Sequence, residues 1–211
     1  MKRLSLLLLL AASLCLPCAN AAEPAIAGSV MQMRGAAYAD HLDSSDNLHR
    51  SMTVHVGDRI VTGRNARVSL KMLDGAVLTL GADTEFVIGD YRYSKKKQQG
   101  SATLELVRGA FRAVTGAIGK LKGRDFKIKT AAGVIGIRGT DFWGGFHFSE
   151  ALDVALLGGD GIYVENAAGR IEIINAGEGT TVQNADTAPS SPIRWSEDKL
   201  NAAKRSVAWV E

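Results

Sequence analysis

The sequence predicts an all-β domain, built either as a twisted β-solenoid or as a β-sandwich and completed by one short C-terminal α-helix. Three observations carry that expectation. Apolar and polar residues alternate with period two through many short segments. Gly reaches 23 residues while Pro is held to 4, so the backbone turns often and is rarely broken by proline. Glycine-centred turn signals, such as Leu73-Asp74-Gly75, fall between the alternating segments. With 46% hydrophobic and 22% charged residues, the composition excludes collagen-like, low-complexity and wholly disordered chains.

Residues 1–21 are set apart from the fold. Lys2-Arg3, the apolar run Leu4 to Leu16 and Ala19-Asn20-Ala21 follow the pattern of a cleavable secretory signal peptide. That run is too short for a bilayer core of about 30 Å, so no transmembrane helix is expected in the mature chain. Both cysteines, Cys15 and Cys18, fall inside this segment, which leaves the mature chain without a disulfide or a thiol nucleophile. Neither is preceded by a lipoprotein signal, and no lipid anchor is expected. The expected compartment is the periplasm, with secretion to the medium as the alternative. Export removes nucleic acid as a natural partner.

The elements follow in order. In residues 22–50, Ile26 to Met33 is expected as a first strand and Ala36 to Arg50 as a solvent-facing polar loop carrying Asp40, Asp43, Asp46 and Asn47. Residues 51–150 form the core of the β domain and 151–184 add further strands. Val68, Leu70 and Met72 share one face of their segment, and Arg67, Ser69 and Lys71 the other. The same alternation recurs at Thr103 to Leu106, Phe126 to Lys129 and Ile171 to Ile173. Arg108-Gly109, Gly158 to Gly161 and Ala167 to Gly169 supply the turns. Residues 185–194, with Pro189, Ser190, Ser191 and Pro192, are a linker. Within 195–211, Ser196 is placed to cap a helix from Glu197 to about Val210, with Trp195 stapled onto Leu200 and an apolar stripe of Leu200, Ala203, Val207 and Val210. At about four turns such a helix is marginal alone and needs a surface, either this protein's sheet or a partner.

Four motifs in sequence order then acquire a common meaning. They are Val56-Gly57-Asp58-Arg59-Ile60-Val61-Thr62-Gly63, Leu73-Asp74-Gly75-Ala76-Val77-Leu78-Thr79-Leu80, Leu106-Val107-Arg108-Gly109-Ala110-Phe111, and Lys129-Thr130-Ala131-Ala132-Gly133 leading into Ile137-Arg138-Gly139-Thr140-Asp141-Phe142. From about Val56 to Phe148 the chain resembles a FecR-type domain, named after the envelope regulator of iron-citrate uptake. The resemblance implies an all-β domain outside the inner membrane. FecR regulators that control a sigma factor carry a cytoplasmic segment and a membrane-spanning helix where this chain has the signal pattern. A stand-alone exported member is therefore expected, without direct sigma-factor control.

The candidate sites are few. In Arg138-Gly139-Thr140-Asp141, a turn at Gly139-Thr140 would let Arg138 and Asp141 pair and lock a strand corner by a charge-assisted hydrogen bond; a ligand site is the alternative. Between Arg92 and Lys129, eleven basic residues face only Glu105 and Asp125. Within that stretch, Arg92, Lys95, Lys96, Lys97, Lys120, Lys122 and Arg124 are candidate contacts to a partner: an acidic envelope protein, an anionic glycan or lipopolysaccharide. The competing reading is a solvated hairpin tip. Trp143 beside Phe142 and Gly144-Gly145 could stack on sugar or belong to the core. His41, His49, His55 and His147 show no metal-ligand spacing, Gly159-Asp160-Gly161 is a single turn without the nonapeptide repeat of calcium-binding β-rolls, and no nucleophile elbow is present. No cofactor and no catalytic residue are expected. The reading is a non-catalytic envelope binding or signalling module, with a glycan- or cell-wall-binding structural protein as the alternative.

Overall fold

The structure, a computed structural model, describes residues 24–41, 44–123 and 125–209. The signal peptide expected over residues 1–21, the candidate contact Arg124, and Asp43 and Val210 lie outside the described residues.

One-sided alternation demands that each strand pair lay its apolar face against another layer, and the chain meets that demand by building two sheets in step. The first contains β1 (Ile26–Arg34), β4 (Thr53–His55), β6 (Arg67–Met72), β7 (Val77–Leu80), β10 (Ala110–Val114), β13 (Thr140–Gly145), β14 (Leu152–Gly159), β17 (Glu178–Val182) and β18 (Ile193–Arg194). The second contains β2 (Ala37–Asp40), β3 (Ser45–Asn47), β5 (Arg59–Thr62), β8 (Glu85–Ser94), β9 (Gln99–Arg108), β11 (Asp125–Thr130), β12 (Val134–Ile137), β15 (Ile162–Asn166) and β16 (Gly169–Ile173). Their orders are β18-β17-β14-β13-β10-β7-β6-β1-β4 and β16-β15-β12-β11-β9-β8-β5-β2-β3. Apart from the N-terminal edge, where β4 lies outside β1 and β3 outside β2, both run in chain order, so the protein advances along its length as a solenoid does while burying its core between two layers as a sandwich does.

A single core cluster draws on both sheets, with Leu70, Phe111, Phe142 and Val154 from the first and Phe86, Leu104, Ile128 and Val164 from the second. Phe111 makes edge-to-face contacts with Phe86 and Phe142, an arrangement the ring quadrupoles favour. Among the described residues the strand pairs are antiparallel except β9 with β11, where Ser101 to Leu106 run parallel to Asp125 to Thr130. The chain reaches β11 only after crossing to β10 and through the 3₁₀ turn Ile118–Lys120.

One expected loop is structured. The segment Ala36 to Arg50, read as polar loop, contains β2 and β3, which pair Tyr38 with Asn47 and Asp40 with Ser45 at the edge of the second sheet. Ala37, Ala39 and Leu48 are buried there. Ala37 and Ala39 alternate with Tyr38 and Asp40 over only four residues, a pattern short enough to be masked by the polar residues that follow.

The last element is α1 (Glu197–Val207). The Ser196 hydroxyl accepts from the Lys199 amide, Glu197 and Asp198 occupy the first turn, and Lys204 and Arg205 the last, which matches the helix dipole at both ends. It ends earlier than the expected Val210, because Ala208 turns extended at φ −73, ψ 149. α1 packs on the outer face of the first sheet, where Trp195, Ala203 and Val207 join Ala110, Trp143 and Ala155 in a second apolar cluster. No described helix is long and apolar enough to cross a membrane.

Candidate functional site

The basic stretch comes together around the β8–β9 hairpin. Lys95, Lys96 and Lys97 occupy its turn and are exposed. The tip is fixed by local bonds: the Lys97 amide donates to Ser94 Oγ at 3.3 Å, and Gln98 Nε2 donates to the Lys95 carbonyl at 2.8 Å. Four of the eleven basic side chains are neutralised. Arg92 pairs with Asp90 and Arg108 with Glu85, while Arg112 pairs with Asp141 and Lys127 with Asp125. Six lysines, Lys95, Lys96, Lys97, Lys120, Lys122 and Lys129, make no ion pair among the described residues. The 3₁₀ turn carrying Lys120 packs against the hairpin, since a Cβ at Gly100 would lie 2.8 Å from Ile118 Cγ1. The chain then passes Lys122 and enters β11 at Asp125, opposite Ser101. Arg92, Tyr93, Lys97, Ser101 and Asp125 line an open depression of about 440 Å³ between these segments.

The corner at Arg138 to Asp141 is built, but not by the expected pair. Gly139 adopts φ +84, the left-handed turn that a side chain would strain, and this sends the two charges to different partners. Arg138 Nη2 donates to Glu172 at 2.5 Å, across the second sheet. Asp141 accepts two bonds from Arg112, at 2.8 and 2.6 Å, across the β10–β13 ladder of the first sheet. That hydrogen bonding raises the Arg112 pKa. Thr140 ties to Thr115, whose hydroxyl accepts from the Thr140 amide at 2.8 Å. Asp141 therefore ties β13 to its neighbour β10, while Arg138 reaches from the end of β12 past β15 to β16.

Trp143 is not a surface platform. It is 0% exposed, lies edge-on to Trp195 with ring centroids 6.0 Å apart, and donates from Nε1 to Ser206 Oγ at 3.0 Å. Stacking on sugar is closed to it because α1 covers it.

Two buried groups were invisible as a set in the sequence. Asp74, 8% exposed, accepts from Tyr91 Oη at 2.5 Å, from the Ala76 amide at 2.9 Å and from the Ile118 amide at 2.9 Å, so the β6–β7 turn is tied to β8 and to the 3₁₀ turn. Burial, followed by the Asp74 charge and its hydrogen bond, pushes the Tyr91 phenol far above its ordinary value. Asp58, 2% exposed, accepts from the His55 amide at 2.7 Å and lies 2.7 Å from His41 Nδ1. Among the described residues no group of three or more His, Cys, Asp or Glu side chains could hold a metal ion.

These features mark a two-sheet scaffold with a charged hairpin, and comparison with known proteins gives the scaffold its family. The model of the FecR protein family matches residues 58–160. The chain carries a FecR domain. The FecR match opens at Asp58, just before β5, and closes in the turn after β14, so it takes in the lysine hairpin and the Arg138 to Asp141 corner. No curated protein matches the sequence. Two crystal structures, each of a "putative anti-sigma factor" from Parabacteroides distasonis, share the fold at TM-scores of 0.54 and 0.53, with 16% and 17% identity. The match covers 68% of this chain and only 63% and 62% of those chains.

Proposed function

We propose that this FecR-domain protein is a non-catalytic, exported regulatory module of the cell envelope that docks an acidic protein partner through the β8–β9 hairpin. The observation that carries the reading is the trio Lys95, Lys96 and Lys97, without an ion pair among the described residues, on a tip whose backbone is fixed by its own hydrogen bonds, with Lys120 of the 3₁₀ turn packed beside the same hairpin. A preorganised positive surface attracts an opposite charge at low cost in ordering. The anti-sigma description of the structural neighbours supports a signalling role over an enzymatic one. The secretory pattern of residues 1–21 supports the periplasm, with release to the medium as the alternative. A glycan-binding role loses its aromatic platform with Trp143 buried.

The test is capture of partners from envelope extract by the immobilised chain at low and high salt. Exposed charges separated by more than about 8 Å are screened at physiological ionic strength, so capture should fall as salt rises. Replacing Lys95, Lys96 and Lys97 with Gln should weaken capture and flatten its salt dependence, while stability changes by no more than about 0.5 kcal/mol. Capture indifferent to both salt and the triple change would overturn the reading. Co-sedimentation with purified lipopolysaccharide or peptidoglycan, in place of a protein, would transfer the role to an anionic glycan surface.

A further inference from the structure

Two arginines that the sequence keeps far apart are brought face to face on the first sheet. Arg34 closes β1, Arg67 opens β6, and they are directly paired in the antiparallel ladder. Like charges directly opposite on neighbouring strands destabilise a sheet. Arg67 carries a further cost. Its Nε is buried without a hydrogen-bond partner among the described residues, and Nη1 is satisfied only by the Ala66 carbonyl at 2.7 Å. Burial first, and the Arg34 charge second, hold the Arg67 guanidinium below its ordinary pKa. Elsewhere the protein meets its buried charges with partners, three donors for Asp74 and two for Asp153.

The pair opens onto a cavity of about 300 Å³ whose other walls are Asn65, Ala208 and Trp209. None of these is an acid. Asp83 lies on a second cavity, on which Arg67 also borders, yet no ion pair joins Arg67 to it or to any other described residue. Nor does α1 supply the missing charge. Its C-terminal end amounts to about half a negative unit, and Lys204 and Arg205 in its last turn already answer that.

We infer that this cavity is a binding site for a small anionic ligand, one that joins a carboxylate or phosphate group to a flat apolar ring. The oxyanion sits with the two guanidiniums, whose forked donors suit either group, and the ring lies against the Trp209 indole. A volume of about 300 Å³ is at the lower end for small-molecule sites, enough for one substituted ring. The anion relieves the repulsion between the arginines and gives Arg67 an acceptor. The site is on the first sheet and makes no use of the lysine hairpin on the second.

The experiment titrates the full chain with benzoate, phenyl phosphate and the neutral benzamide by isothermal calorimetry. Benzoate and phenyl phosphate should bind one site, and benzamide at least about tenfold more weakly, because hydrogen bonds to charged groups are the stronger ones. Arg67→Gln and the more exposed change Arg34→Gln should each weaken benzoate binding at least about tenfold, whereas Lys95→Gln/Lys96→Gln/Lys97→Gln should leave it unchanged. Without ligand, Arg67→Gln should be at least as stable to urea as wild type, since a repelled and half-buried charge has been removed. Saturating benzoate should raise the urea midpoint of wild type and not that of Arg67→Gln. Equal affinity for benzoate and benzamide, or no saturable binding of either anion, would overturn the inference. So would a ligand-free Arg67→Gln protein clearly less stable than wild type, which would make Arg67 a structural support for α1. Binding that appears only in Glu211→Gln would also overturn it, by giving the arginines to the chain's own carboxylate.

Discussion

Asp74 collects one hydroxyl and two backbone amides at a position 8% exposed, and each donor needs an acceptor it cannot get from water. Replacing it with Ala strands all three, and a buried unsatisfied donor costs about 1–3 kcal/mol. Asp74→Ala should therefore lose at least about 3 kcal/mol in urea denaturation, and Tyr91→Phe about 1 kcal/mol. Tyr91 adds a pH signature. Its phenol is held far above the ordinary value by burial first and by Asp74 second. In the unfolded chain it ionises near pH 10, so above that pH the folded state keeps a proton the unfolded state has lost. Stability contributed by this group is intact below about pH 10 and falls as pH rises, by up to about 1.4 kcal/mol per pH unit. Urea midpoints measured from about pH 9 to 11.5 should drop more steeply for wild type than for Tyr91→Phe.

The element that concentrates testable energetics is α1. Lys199 reaches a carboxylate that is 2% exposed, and its Nζ lies 4.0 Å from the centroid of the Trp195 ring. Removing one partner of a fully buried ion pair costs about 3–5 kcal/mol, and here only Asp153 is buried while the Lys199 side chain is 33% exposed, which lowers the cost. Lys199→Ala should fall at or below the lower end, because Thr181 still donates to Asp153, and Asp153→Asn/Lys199→Met should lose less than the sum of its two single changes in a double-mutant cycle. Gly179→Ala places a methyl against the Trp195 indole. The ring must shift, so near-ultraviolet circular dichroism from the Trp143–Trp195 pair should weaken while the far-ultraviolet β signal persists.

Across the whole molecule, strands are added alternately to two sheets, and most pairings close over long chain distances. β9 meets β11 only after the excursion through β10, and β1 pairs with both β4 and β6. Non-local topologies of this kind fold in about milliseconds to seconds, because loop-closure entropy must be overcome before the contacts form. Stopped-flow refolding should fall in that range. Substitutions within α1 should leave the folding rate nearly unchanged and act on unfolding, since the helix docks on a finished sheet.

Local chemistry settled much of this protein in the sequence itself. Alternation fixes which face of β6 or β11 is buried; Asp74-Gly75 and Arg108-Gly109 mark the corners; Ser196 with Glu197 and Asp198 announces the helix start; and the run Lys95 to Lys97 announces an exposed tip. Each signal is complete within a few residues. Only the tertiary structure decided who meets whom. Asp141 is taken by Arg112 and not by Arg138, Trp143 is covered rather than exposed, and Ala37 and Ala39 sit in a strand rather than a loop. The face under α1 brings Ala110, Trp143 and Ala155 together from three strands, and the ion pair beside it joins Asp153 to Lys199 across 46 positions. The physical reason is that side-chain direction is a local property of backbone and pattern, whereas charge partners and covered faces depend on which strands become neighbours, and that is decided by the packing of both sheets together.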